Sequence, residues 1–188
     1  AANRTQQAAL LSAWAASPDA ARMPLLQALQ AESLFIDGQK HAFARHGGEM
    51  VPLGAATAAE GATKAVRLTN RLRVLAATAL ATHQLISDSV TERRGAARRL
   101  QRDIQPDMLG FLQKRVGLET DDVTRQSLLL ALANLQLASP LAETRLQAIE
   151  LLGQSDDPDV QAKITPFIHP QTEPDAKVRA AAAESLSH

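Results

Sequence analysis

The stretch RVLAATALATHQLISDSVTERRGAARRLQRDIQPD (73–107) returns 52 residues later as RQSLLLALANLQLASPLAETRLQAIELLGQSDDPD (125–159). With 72–114 laid on 124–166 without a gap, 12 of 43 positions are identical. Abundant Ala and Leu explain some matches, but not Arg73/Arg125, Gln84/Gln136, Ser87/Ser139, Arg93/Arg145 or Pro106-Asp107/Pro158-Asp159. A shorter motif recurs inside the repeat: Arg, a small or apolar residue three on, then Leu seven on. It reads Arg73-Ala76-Leu80, Arg93-Ala96-Leu100, Arg125-Leu128-Leu132, Arg145-Ala148-Leu152 and Arg179-Ala182-Leu186. Positions i, i+3 and i+7 share one helix face, so five helices carry the same stripe. Short helices with a recurring stripe predict an all-α fold, a HEAT-like α-solenoid (a right-handed superhelix of short helices) forming one domain over 1–188.

Working outward, Ser17-Pro18, Gln105-Pro106, Ser139-Pro140, Asp157-Pro158 and Glu173-Pro174 each precede an apolar-periodic run. Proline suits a first helical turn because its missing N–H would be unpaired there anyway. Gly153 falls where a left-handed helix cap would. These signals predict helices at 5–16, 18–31, 64–86, 89–102, 106–116, 121–138, 141–152, 158–168 (bent or stopped by Pro166) and 175–186. Residues 1–31 form an N-terminal helix pair and 64–188 the helical repeats. Between them, 33–62 holds five of the nine glycines and two of the four Phe. Leu34-Phe35-Ile36 before Asp37-Gly38, then Ala42-Phe43-Ala44 before Gly47-Gly48 and Met50-Val51, predict a small β-hairpin or two-turn meander, with a bare loop as the alternative. Thirty inserted residues are more often functional or mobile than decorative.

Composition agrees with helices. There are 36 Ala and 27 Leu against 8 Val, 6 Ile and no Tyr, and Ala and Leu lose little rotamer freedom in a helix. With 45% apolar residues the chain can bury a core. Zero Cys excludes disulfides, thiol catalysis and Cys-ligated zinc or iron–sulfur sites. No apolar run approaches the roughly 20 residues that span a bilayer. No charged segment followed by an apolar one opens the chain, and Ala1-Ala2 suits a pair just after a small-residue cleavage site, so any targeting peptide is expected to be gone already.

Few residues offer chemistry. His41 and His46, five apart across a hairpin turn, could bring two imidazoles to a metal, yet no third ligand stands at a usual spacing, and an exposed surface is expected. His83 is placed at the edge of the long helix. Asp156-Asp157-Pro158-Asp159 is acidic enough for calcium but lacks the glycine and distal Glu of a calcium loop, so it reads as a helix cap. Trp14, with Leu10 and Leu11, reads as packing. Neither a phosphate-binding Gly loop nor a nucleophile elbow is present, so no catalytic residue, metal or cofactor is expected.

Charge is uneven although 20 basic and 20 acidic residues cancel. Residues 64–102 carry nine basic and two acidic side chains, while 103–188 carry 7 basic and 13 acidic. Helical spacing divides these cations. Arg73, Arg93, Arg125, Arg145 and Arg179 lie on the repeated stripe and are expected to be semi-buried, structural, and directed at carbonyls or carboxylates such as Asp88, Asp121 or Glu173. Arg94, Arg98 and Arg102 form a separate i, i+4, i+8 row, with Lys64, Arg67 and Arg71 as a similar row on the preceding helix. These six are the candidate partner-binding residues, against a solvated face as the plainer reading.

AVRLTNRLRVLAATAL (65–80), headed by Asn70-Arg71-Leu72-Arg73, together with LISDSVTERRGAARRL (85–100), LANLQLASPLAETRLQAIELLGQSDDP (132–158) and DAKVRAAAAESL (175–186), resembles the N-terminal extension of the permease subunit of bacterial urea ABC transporters. The Pro24–Leu29 helix and the LFIDG segment (34–38) fit as well, so the similarity covers nearly the whole chain. The resemblance implies a secreted, periplasmic, non-enzymatic docking domain ahead of a permease related to branched-chain amino acid transporters. It implies as partner the substrate-binding protein or the permease body, and a monomer in isolation. The pore is not in this chain, so no transport residue carries over. Two other classes stand beside it: a nucleic-acid-binding HEAT protein using the Arg-rich helices, against which zero net charge and one Trp speak, and a HEAT-like lyase or cofactor chaperone, supported by the repeat signature alone.

Overall fold

Nine α-helices form among the described residues: α1 Arg4–Ala16, α2 Met23–Gln30, α3 Asn70–Gln84, α4 Val90–Leu100, α5 Leu109–Leu118, α6 Asp122–Gln136, α7 Ala142–Leu152, α8 Pro158–Ile164 and α9 Ala176–Ser185. The computed structural model describes residues 3–187; Ala1-Ala2, the pair assigned to a cleavage site, and His188 lie outside them. Helix starts have side-chain causes. Asn3 and Gln6 close a capping box on α1, and Thr69, Asp121, Asp157 and Asp175 accept first-turn N–H groups of α3, α6, α8 and α9. Pro158 opens α8, Pro106 opens a 3-10 turn leading into α5, and α8 gives way to a 3-10 turn at Thr165–Ile168, which contains Pro166.

Residues 34–65 add a four-stranded antiparallel sheet: β1 Leu34–Ile36, β2 Ala42–His46, β3 Glu49–Pro52 and β4 Lys64–Ala65, in the order β3-β2-β1-β4. Gly47 and Gly48 both take positive φ, 55° and 94°, as a two-residue hairpin turn between His46 and Glu49 requires. The sheet overturns the all-α, HEAT-like solenoid expectation; the protein is mixed α/β. The error lay partly at 64–69, which was placed in the long helix 64–86. That segment is extended: Phe35 pairs with Ala65, Ile36 with Lys64, and the Val66 N–H reaches the Leu34 carbonyl 2.9 Å away. The helix begins only behind the Thr69 cap.

The chain divides into two compact units, Ala1–Arg99 and Leu100–His188. In the first, α1 and α2 pack on α3, and α2 also packs on β1 and β2. Leu11, Leu26, Leu34, Phe43, Leu72 and Ala76 are buried there, the larger of them contributing about 1.5–3 kcal/mol each. In the second, α6 packs on α5 and α7, and α7 packs on α8 and α9. Ala133, Ala148, Ile149, Leu152, Val160, Ile164, Val178 and Ala182 form its core cluster.

Gly153 ends α7 with φ −64°, so it is not the left-handed cap expected. Its reason is space. A Cβ there would lie 2.7 Å from the Ser185 Cβ of α9, inside any permissible contact.

Candidate functional site

All five stripe arginines occupy the fourth residue of their helices, and the structure divides them three to two. Arg93, Arg145 and Arg179 turn back along the chain to carbonyls six residues earlier: Arg93 Nη1 donates to Ser87 at 2.9 Å, Arg145 Nη1 to Ser139 at 2.9 Å and Arg179 Nη1 to Glu173 at 2.8 Å. Arg93 and Arg179 also donate to the next carbonyl along, of Asp88 and Pro174. Each thereby closes the loop that enters its own helix.

Arg145 does more. Its Nε and Nη2 each lie 2.7 Å from one Glu173 oxygen, a bidentate pair in which the side chains are 11% and 1% exposed. Hydrogen bonding from Arg145 holds the Glu173 carboxyl below the usual carboxylate range, against the opposing effect of burial. Glu173 Oε1 also accepts the Asp175 N–H at 2.9 Å, and Asp175 caps α9. The same construction stands at the head of α6, where Glu119 Oε1 accepts the Asp121 N–H at 2.9 Å, Asp121 caps the helix, and Arg115 pairs with Glu119 at 2.7 Å. This Glu-x-Asp device was missed at the sequence level; Glu119-Thr120-Asp121 and Glu173-Pro174-Asp175 recur 54 residues apart, off the 52-residue register.

Arg73 and Arg125 depart from expectation. Both are exposed, Arg73 paired with the exposed Glu32 at 2.6 Å and Arg125 with Asp122 of its own first turn. Before α3 the chain arrives as an extended strand, so Arg73 has no folded-back entry loop to close; Arg125 follows the same Glu-x-Asp cap as Arg179 but pairs with Asp122 instead.

The partner-binding candidates are not two helical rows. Lys64 lies in β4, Arg67 in the link to α3, and only Arg71 is helical. Arg94 and Arg98 are on α4, but Arg102 lies beyond the helix end at Leu100 and in the other unit. All six are exposed. The side chains of Lys64, Arg67, Arg71, Arg98 and Arg102 make no hydrogen bond or ion pair among the described residues; Arg94 does interact.

The histidines are redistributed too. His41 and His46 flank one strand, β2, rather than facing each other across a turn, and their odd spacing sends them to opposite faces. His41 Nδ1 instead meets buried Asp37 at 3.1 Å. Asp37 accepts the Gln39 and His41 N–H groups on Oδ1 and the Glu60 N–H on Oδ2, tying the β1–β2 turn to the 53–63 loop. Burial would raise its carboxyl, but the hydrogen bonds from Glu60, His41 and Gln39 outweigh that and lower it to about 2. The Asp37-Gly38 turn signal was legible; the carboxylate's reach to Glu60 was not. His83 is fully buried rather than at an edge. Trp14 is half-buried with the Arg22 guanidinium 5.3 Å over its ring, and Asp157 caps α8.

The second unit also holds an open groove of about 750 Å³. Ile104, Leu109 and Leu135 line it with the carboxamides of Gln113, Gln136 and Gln147, and no charged side chain is among its lining residues. No protein-family model, no curated protein and no solved structure matches this chain.

Proposed function

We propose that this chain is a non-enzymatic docking module on the periplasmic side of an ABC-type uptake permease for urea or a short-chain amide. The transporter assignment rests on the sequence resemblance. One observation supports docking: the first unit leaves Lys64, Arg67, Arg71 and Arg98 exposed and unengaged, while the arginines that build the fold are satisfied internally. Unpaired cations on a protein of zero net charge steer encounter and orient a partner without adding to folding stability. The partner in this reading is the soluble substrate-binding protein or an outer loop of the permease body, presenting acidic side chains.

The test is a titration of the cognate substrate-binding protein against wild type and an Arg67→Glu/Arg71→Glu/Arg98→Glu variant at low and high salt. Binding that weakens with salt, as contacts screened beyond about 10 Å at 0.1 M should, and that the variant loses, supports the reading. Unchanged binding removes these cations from the interface. Salt-sensitive binding of duplex DNA without binding of the transporter protein replaces the reading with a nucleic-acid one.

A further inference from the structure

His83 is 0% exposed, near the C-terminal end of α3, the helix on which α1 and α2 both pack. Its Nδ1 lies 2.7 Å from the Ala79 carbonyl one turn back, so this nitrogen carries the ring proton. Nε2 is buried as well and has no hydrogen-bond partner. As a neutral ring, His83 leaves one weak acceptor unpaired. As a cation it would add an N–H with no acceptor and a full charge in an apolar core, and both are costly.

Little in the surroundings offsets that charge. Helix α1 contributes only Arg4 and α2 no charged residue; the turn into α2 contributes Asp19 and Arg22, and α3 itself Arg71 and Arg73 at its far end. Arg22 is engaged elsewhere, with its guanidinium over Trp14 and Nη1 donating to the Ser17 carbonyl at 2.8 Å. Burial, with the charge of Arg22, pushes the imidazole pKa below its usual value, and the Ala79 carbonyl and Asp19 oppose this without reversing it.

We propose that His83 is an acid-sensitive latch: its neutral ring lets α1 and α2 close on α3, and its protonation loosens this helical core in mildly acidic solution. The folded unit binds the proton more weakly than the unfolded chain does. The stabilisation is therefore complete above the unfolded value near 6.5 and declines as pH falls below it. The carboxylates that the fold holds low, Asp37, Glu173 and Asp175, withdraw their contributions only below about pH 4.5. Mild acid thus acts on the latch before it acts on them.

Trp14, the single tryptophan, lies on α1 and reports this unit alone. Urea unfolding followed by Trp14 fluorescence, from about pH 7.5 to about pH 5, compares wild type with His83→Gln, while proton NMR follows the His83 ring of the wild type. The folding constant of wild type should fall by up to about tenfold per pH unit below 6.5, the variant should lose that slope, and the ring should titrate below the usual value. Equal slopes in the two proteins, or a ring titrating at or above the usual value, overturn the latch. If His83→Gln does not fold, the wild-type ring titration decides alone.

Discussion

The longest-reaching tie in each unit uses opposite chemistry, although Arg93 of the first unit closes its entry loop as Arg145 of the second does. In the first, one carboxylate, Asp37, gathers N–H groups from its own turn and from Glu60, 23 residues away. In the second, a cation does the work: Arg145 closes its own entry loop through Ser139 and grips Glu173, whose carboxylate also accepts the N–H of Asp175, the cap of α9. The second device is modular, using one helix start, one loop and one cap, so it can be copied along a chain and leaves a repeat in the sequence. The first is a single junction of distant segments and leaves no such trace.

The largest expected effect breaks the modular device. Arg145→Ala leaves Glu173 buried without its partner and should cost about 3–5 kcal/mol, whereas Arg125→Ala removes an exposed pair worth under about 1 kcal/mol. Urea unfolding of the two variants checks the ratio, and similar losses would mean that burial does not distinguish the stripe arginines. Because Glu173 is held below its ordinary pKa, its contribution is present above that value and is lost as pH falls beneath it. The Arg145 variant should therefore show a flatter acid limb than wild type.

Gly153→Ala sharpens the comparison at the packing level. Alanine is allowed at φ −64°, so no backbone strain arises. The new methyl meets Ser185 Cβ at 2.7 Å, and rotating the hydroxyl cannot relieve a Cβ contact. Moving α9 away from α7 should cost about 1–3 kcal/mol, read as a lowered Tm. A paired Ser185→Gly should recover most of it.

How far the sequence led depends on the reach of each interaction. Helix positions were legible because their causes are local: Asp157-Pro158, Thr165-Pro166 and the Ala/Leu stripes act within a turn. The Gly47-Gly48 turn was legible for the same reason. The β4 strand was not, because Lys64-Ala65 is extended only through pairing with β1, 28 residues away. Among the arginines, the stripe motif marks a helix face but not what enters the helix. Pro140 and Pro174, five residues ahead of Arg145 and Arg179, accompany two of the folded-back loops, but Arg93 closes the third with Asp88 in that place, so proline does not separate the two groups. Of the candidate docking cations, exposure was expected and is found, whereas the two helical rows expected for them do not form.

The single junction is probed by Asp37→Ala, which leaves the Gln39, His41 and Glu60 N–H groups without their acceptor. The 53–63 loop then loses its anchor while the hairpin turn at Gly47-Gly48 remains. Amide exchange at Glu60 should rise by about tenfold or more, since a hydrogen bond to a charged acceptor is being removed, with the second unit unaffected. In wild type the same release should follow acidification from the ordinary carboxylate value near 3.8 toward about 2, because a depressed pKa withdraws its stabilisation only as the folded form protonates. Loop exchange insensitive to either change would mean that other contacts hold 53–63.

The smallest effect is expected where a repeat-independent signal is missing. Helix α2 ends with the Ser33 N–H on the Ala28 carbonyl at 2.9 Å and the Glu32 N–H on the Leu29 carbonyl at 3.2 Å, the paired bonds of a Schellman cap. The residue after the cap must be left-handed, and Glu32 has φ 55°. Glycine is the usual occupant because a Cβ there costs roughly 1 kcal/mol. Glutamate brings in return the pair with Arg73, but both side chains are more than half exposed, 61% and 53%, and such pairs contribute about 0–1 kcal/mol. Relief of strain and loss of the pair nearly cancel, with the unfolded-state entropy of glycine opposing the gain. Glu32→Gly should therefore leave stability within about 1 kcal/mol of wild type, and in high salt, where the pair is screened, it should compare more favourably than in low salt. A loss much above that would show that the Glu32–Arg73 pair holds α2 to α3 more firmly than its exposure allows.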